Sequence, residues 1–365
     1  MLKNLARARA HALGAILAVS VALPVQAQAP TGPPLKIGFV YVSPVGEAGW
    51  TYQHDQGRRE MERALGNRVQ TSVVESVAEG ADAERVLRDL AAQGHGLIFA
   101  TSFGYLEPAL RVAAEFPNVR FEHVGGYRTA ANLNTYDARY YEARYLAGLL
   151  AGKSSKRGVV GYVAGFPVPE VVQGINAFAI GLREANPKAE VHVLWLNSWF
   201  DPPREREAAL TLIGLGADVL TNHSASAAVA QTAQDKRVMF IGYQSDMRKF
   251  APDAQLAAVT QHWGGYYTRV AQAVLDGTYR PQPVWAGMKD GMVQLSALRP
   301  NVPPALRNQI ETRRKAIEAG TFRPFSAPLV DNQRRTRLAQ GALDDAQIGA
   351  MDWFVQGVVG TLPKP

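Results

Sequence analysis

From Leu35 onward, short apolar runs of strand character alternate with stretches of helical period, and this alternation restricts the chain to few folds. Residues 36–42, 69–75, 96–101 and 119–124 read as strands; between them, 53–65, 81–93 and 105–116 carry apolar side chains at helical spacing. Repeated strand–helix–strand units call for a parallel sheet covered by helices on both faces, linked by right-handed crossovers. A second series follows, with strands at 158–163, 190–196, 219–222, 238–242 and 255–259 and helices at 169–186, 204–215 and 225–236. Two such series predict an α/β fold of two Rossmann-like lobes with parallel sheets, joined by a hinge. The basic turn at 153–157 is the predicted first crossover, which gives one lobe from 35–156 plus about 264–298 and the other from 157–263. Beyond Pro300 the chain turns proline-rich and basic, with helices predicted at 304–319 and 344–354. Residues 299–365 thus read as a C-terminal helical extension packing on the lobes.

The N-terminus reads differently. Lys3, Arg7 and Arg9 precede an apolar, small-residue run from Ala12 to Pro24, which ends in Val25-Gln26-Ala27 and Ala27-Gln28-Ala29. That order marks a secretory signal over residues 1–29, cleaved near Ala27 or Ala29. The apolar run is shorter than the roughly 20 residues a membrane span needs. The chain has no cysteine, so a lipid-anchored cysteine, a disulfide and a catalytic thiolate are all chemically excluded. Removing Lys3, Arg7 and Arg9 takes the net charge from +7 to +4. The remaining excess gathers at Arg313-Arg314-Lys315 and Arg334-Arg335 through Arg337, without the aromatic or groove-reading modules of a nucleic-acid binder.

Open parallel sheets bind ligands outside the carboxyl ends of their strands. The segments that follow the predicted strands are unusually aromatic: Trp50, Tyr52, Phe103, Tyr105, Trp199, Phe200, Tyr243 and Trp263 stand among Ser, Asn, Asp and Gln. Such walls suit a flat polar ligand, held by stacking between ring planes and read at its edge by donors and acceptors. The seven histidines show no metal-ligand spacing, although His223 and His262 fall at strand ends. No G-x-S-x-G elbow, G-x-G-x-x-G turn or P-loop lysine is present, so neither a serine hydrolase nor a cofactor is indicated.

Several stretches, taken in order, resemble the basic membrane protein (Bmp/Med, PnrA-like) family of ABC-importer receptors. They are Gly49-Trp50-Thr51-Tyr52-Gln53, Ala100-Thr101-Ser102-Phe103-Gly104-Tyr105, Asn197-Ser198-Trp199-Phe200-Asp201-Pro202 and Gly242-Tyr243-Gln244-Ser245-Asp246, followed by Asp276-Gly277-Thr278 and the tail Met351 to Gly357. The resemblance implies the type I periplasmic binding fold, a purine-type ligand between the lobes, an inner-membrane permease as partner, and no catalysis. It places Trp50 and Trp199 as the two stacking planes and Asp246 as an acceptor for a ligand donor. Thr51 takes the place of an asparagine in the family, and the loop from Ser102, Phe103 and Gly104 to Glu107 that of an aspartate-bearing loop. With Tyr52, Phe200, His223, Ser245, Gln261 and Trp263 these residues make up the candidate ligand-binding set. Nucleoside-binding members carry an aspartate near the end of the first strand and a lysine after the last second-lobe strand, where this chain has Ser43-Pro44 and Gln261. That difference points to a free base such as adenine.

Two other readings remain. A periplasmic nucleosidase would use Asp201, Glu107 or Asp246 as acid or base. A sensor would use the same closure to signal to a membrane receptor. The chain is expected to be a soluble periplasmic monomer, with no metal and no cofactor.

Overall fold

The structure is a computed structural model that describes residues 32–363; the predicted signal at 1–29 lies outside the described residues. The chain runs β1 (Leu35–Val40), α1 (Trp50–Leu65), β2 (Val69–Val74), α2 (Ala81–Ala92), β3 (Leu97–Ala100), α3 (Leu106–Glu115), β4 (Arg120–Val124) and β5 (Leu133–Ala138). It continues with α4 (Tyr140–Ser154), β6 (Val159–Ala164), α5 (Pro169–Ala185), β7 (Glu190–Trp195), α6 (Pro202–Gly214), β8 (Val219–His223), α7 (Ala228–Lys236), β9 (Met239–Gln244) and β10 (Gln255–Gln261). Then come α8 (Gly264–Leu275), β11 (Val284–Ala286), β12 (Val293–Leu295), α9 (Pro304–Glu318), β13 (Leu329–Val330), β14 (Thr336–Leu338), α10 (Asp345–Gly349) and β15 (Val358–Val359).

Two sheets organise these elements, ordered β11-β5-β4-β3-β1-β2 and β12-β10-β9-β8-β6-β7-β15. Every pairing in them is parallel except β10 with β12. Helices cover both faces, so central strands such as β3 are buried along their whole length and read as continuous apolar runs rather than alternating ones. The outer helices are amphipathic: α2 buries Ala83, Val86, Leu87, Leu90 and Ala91, the spacing of one helical face. The predicted α/β architecture of two parallel-sheet lobes is the one observed.

The lobes exchange chain differently from the predicted crossing points. Helix α4 lies along α5 and against β10 and β12, so the chain leaves the first sheet at the end of β5, one helix before the turn at 153–157. Both α4 and α5 are buried almost all round and lack the amphipathic stripe that would assign them to an outer layer. Their axes come close because Gly148, Gly152 and Gly181 face the partner backbone. A Cβ on Gly148 would stand 2.0 Å from the Phe178 carbonyl oxygen, and one on Gly181 would stand 2.1 Å from that of Tyr145. A return to the first lobe is made by α8, which packs on α1, and by β11, which pairs with β5. It ends there, since β12 pairs antiparallel with β10 in the second sheet.

Residues beyond 299 are less helical than predicted. Helix α9 packs on α4, and β15 adds a parallel strand to the edge at β7. The helix predicted at 344–354 is reduced to α10, opened by an Asp344–Gln347 capping box. Past it the Asn176 side chain donates to the Trp353 carbonyl (2.7 Å) and accepts from the Val355 amide (2.9 Å). These bonds hold the backbone extended where a helix would have closed them internally.

Candidate functional site

The loops at the carboxyl ends of both sheets face one another and close on a narrow cleft of about 30 Å³. Val42, Trp50, Ser102 and Phe103 line it from the first lobe; Glu170, Trp199, His223, Ala225 and Gln244 line it from the second. These residues follow β1, β3, β6, β7, β8 and β9 or open the helices after them, as expected for the crevice of an open parallel sheet.

Trp50 is the first residue of α1. Its position depends on Gly49, whose φ of 95° suits glycine and whose Cβ would stand 2.0 Å from the Ala225 carbonyl oxygen of the opposite lobe. The Trp50 indole N–H donates to the Thr101 carbonyl at 2.7 Å. Behind the ring stand His54 (centroids 4.5 Å apart, edge-on) and Trp263 (6.2 Å), and His54 and Trp263 stack on each other. The aromatic wall is therefore rigidly backed. Trp199 lies over Gly165, where any Cβ would approach its six-membered ring to 2.7 Å, and meets Phe166 edge-on at 4.9 Å.

The polar groups of the cleft converge from the second lobe. Burial lifts the Glu170 carboxyl to about 7, against the opposing pull of Arg144 and of the nearby Tyr243 hydroxyl. His223 Nε2 stands 3.2 Å from Glu170 Oε1, but the two are not aligned as a hydrogen bond. Burial also pushes the His223 imidazole well down, with Arg144 adding to the effect, so the ring is neutral. Gln244 adopts left-handed backbone (φ 70°), and its buried Oε1 has no partner within the protein. A buried acceptor left unpaired costs about 1–3 kcal/mol. Glu170 Oε1 and Gln244 Oε1 are thus acceptors available to a ligand N–H.

Arg144 is fully buried behind the cleft and donates to Thr221 Oγ1 (3.0 Å) and to the Asn222 carbonyl (2.6 Å). A second chamber of about 430 Å³ adjoins the cleft, sharing Phe103 and Glu170 and extending past Thr135, Asp137, Gln173 and Trp285.

Among the sequence-predicted residues, Trp50, Ser102, Phe103, Trp199 and His223 come together in the lining. The others serve elsewhere. Thr51 is buried and bonded to Ser43 Oγ at 2.7 Å, and Tyr52 lies half-buried on α1 outside the lining. The Gly104 amide donates to Glu79 (2.9 Å), while Phe200 is 38% exposed. Ser245 Oγ accepts from the Gly49 amide at 2.8 Å, a bond between lobes. Asp246 points outward and accepts from Gln255 Nε2 (2.7 Å) and the Arg248 amide. Gln261 and Trp263 are wholly buried behind the wall. The acid–base candidates lie outside the lining as well: Asp201 caps α6, and Glu107 pairs with Arg128 on the surface. Glu170, Gln244, Val42 and Ala225 complete the lining. Glu170 carries a charge typical of a solvated first helical turn, which is why its sequence position gave no signal of burial. Among the described residues no cluster of three or more His, Asp or Glu is placed to hold a metal.

Residues 35–322 match the family described as ABC transporter substrate-binding protein, PnrA-like. The chain belongs to that family. It is similar to a purine-binding protein of Brucella abortus, 47% identical over 331 residues covering 90% of this chain and 94% of that one. It is also similar to a Haloferax volcanii protein named for glucose binding in an ABC transporter, 35% identical over 333 residues covering 91% and 82%. Among solved structures, the ABC transporter solute-binding protein of Aeropyrum pernix K1 superposes with a TM-score of 0.68 at 18% identity, over 81% of this chain and 94% of that one, a likeness of fold. As a PnrA-like protein the chain is the substrate-binding component of an ABC transporter, an extracytoplasmic protein that delivers a small molecule to a membrane permease. Among the described residues no helix is long and apolar enough to cross a membrane.

Proposed function

We propose that the cleft captures a purine-type ligand, a free base such as adenine in preference to a nucleoside, and performs no chemistry on it. The observation that carries this reading is the pairing of Trp50 and Trp199, one from each lobe, across a cleft whose unpaired buried acceptors are Glu170 Oε1 and Gln244 Oε1. Tryptophan planes hold a heteroaromatic ring by stacking, and convergent acceptors read its N–H edge. A free base offers one more ring N–H than its nucleoside. The absence of the ribose-binding aspartate and lysine, at Ser43-Pro44 and Gln261, supports the same choice, as does the purine-binding relative at 47% identity. The protein would work as a monomer after signal cleavage near Ala27 or Ala29.

The chamber past Phe103 and Glu170 favours a second reading, in which the purine carries a hydroxylated substituent held by Thr135 and Asp137. Mass spectrometry of the small molecules released when purified protein is denatured separates the readings. A free purine base supports the first and a nucleoside the second; a sugar or an amino acid overturns both.

A further inference from the structure

The cleft is held shut by contacts between the lobes. The Gly49 amide donates to Ser245 Oγ at 2.8 Å, Lys249 pairs with Glu47, and Gln53 donates to the Gln261 carbonyl. A fourth contact ends on a cleft wall itself. Glu79, in the loop between β2 and α2, uses one carboxylate oxygen, Oε1, to accept from Ser102 Oγ (2.6 Å), from the Gly104 amide (2.9 Å) and from the Trp199 indole N–H (3.2 Å). Ser102 and Trp199 line the cleft from opposite lobes. The first two bonds lie within one lobe and fix the carboxylate before closure. The third can form only when the lobes meet. Gly104 is shaped for this arrangement, since a Cβ there would stand 2.3 Å from the Glu79 carboxyl carbon.

We infer that Glu79 is the interlobe latch of this receptor, a positioning residue that sets the plane of Trp199 and thereby the residence time of the ligand. A carboxylate with two donors already bonded loses little freedom on accepting a third, so the latch adds to closure at small entropic cost. Its donor is the only polar atom of the stacking ring. A tilt of Trp199 away from the ligand therefore breaks the latch, and breaking the latch frees the ring to tilt. The inference rests on the reading of Trp199 as a cleft wall and names what holds that wall in place.

The chain has no cysteine, so it takes a dye pair cleanly on A92C in the first lobe and E207C in the second, both at exposed helical positions. Single-molecule energy transfer on the full mature protein then reads the closed-state lifetime with no ligand added and with adenine. E79A is expected to shorten that lifetime about ten-fold, the equivalent of one charge-assisted hydrogen bond. E79Q, which keeps an acceptor, falls between. W199F keeps a ring but lacks the N–H; it shortens the lifetime to a similar degree, and adding E79A to it changes the lifetime less than about two-fold. The latch is overturned if E79A has no effect, or shortens the lifetime equally with Trp199 and with Phe at that position, because Glu79 would then serve only the Ser102–Gly104 turn. Failure of adenine to prolong the closed state of the parent counts against the purine reading alone, since the latch is judged from variant-to-parent ratios without ligand.

Discussion

The Arg144 guanidinium carbon lies 3.6 Å from the centre of the Tyr243 ring, and Tyr243 packs at 4.4 Å on His223 of the cleft lining. A cation is thus stacked one layer behind the cleft lining, on the helix that follows the last strand of the first sheet's β1–β5 series. Its charge offsets the buried Glu170, and its two hydrogen bonds end on β8. R144M removes the cation, leaves the Asn222 carbonyl unpaired and strands Glu170 in an apolar setting. We expect a loss of about 1–3 kcal/mol, the cost of leaving a buried hydrogen-bonding group without its partner. R144K recovers only part of it, because an ammonium cannot reproduce the planar stack. Denaturant unfolding midpoints give both values.

The α4–α5 interface makes a second prediction. Alanine normally gains about 1 kcal/mol over glycine inside a helix. G148A and G181A are nevertheless expected to be destabilised by about 1–3 kcal/mol, since each new Cβ would stand near 2 Å from a backbone oxygen of the other helix. G214A, at the end of α6 with nothing within 4 Å, is the control and should be neutral or slightly stabilising. Thermal unfolding of the three variants checks the sign of each.

Much of this architecture was legible in the sequence, for reasons that individual elements show. Helix α8 opens at Gly264, where the sequence predicts the return to the first lobe, because Gly264-Gly265 and Asp276-Gly277 bracket a clear helical period. Strand β5 was missed because Asn134, Thr135 and Asp137 look like a loop; Asn134 is buried there only because it bonds Glu122 and Tyr266. In the cleft lining, Trp50, Ser102, Phe103, Trp199 and His223 lie at the strand ends where the sequence places them. Glu170 and Gln244 fall in the same strand-end segments, but a charged residue in a first helical turn and a glutamine beside Tyr243 carry no aromatic signal that would single them out. Asp246 was misplaced by two residues: Gln244 turns left-handed, so Gln244 occupies the cleft while Asp246 turns out to Gln255.

Glu122 of β4 sets a pH dependence. It accepts from Tyr266 (2.6 Å) and Tyr279 (2.8 Å), yet burial dominates and lifts its carboxyl from 4.5 to about 7. The folded state therefore keeps a proton that the unfolded state releases, and this group's contribution to stability falls as pH rises from about 4.5 to 7, then levels off. The span is roughly 3 kcal/mol at most, from 1.36 kcal/mol per unit. E122Q should make that part of the stability profile shallower, the share of Glu170 remaining, as measured by urea unfolding between pH 4.5 and 8.

Truncating either tryptophan should separate binding from folding. Base–aromatic stacking is worth about 1–3 kcal/mol, so W50A and W199A are expected to weaken a purine about 10- to 100-fold. W50A should also lower thermal stability, because Trp50 packs against His54 and Trp263, whereas half-exposed Trp199 should affect stability little. Calorimetric affinities beside melting temperatures separate the two effects.

Two opposed tryptophans and a pair of buried acceptors are proposed here to select a free purine base. The most direct test is calorimetric titration of ligand-stripped protein with adenine, guanine, hypoxanthine, adenosine, inosine and glucose. Micromolar or tighter binding of at least one free base is expected, at least about ten-fold stronger than that of its nucleoside, with no heat from glucose. Tight adenosine or inosine binding without binding of any base, or saturable binding of glucose, would contradict it.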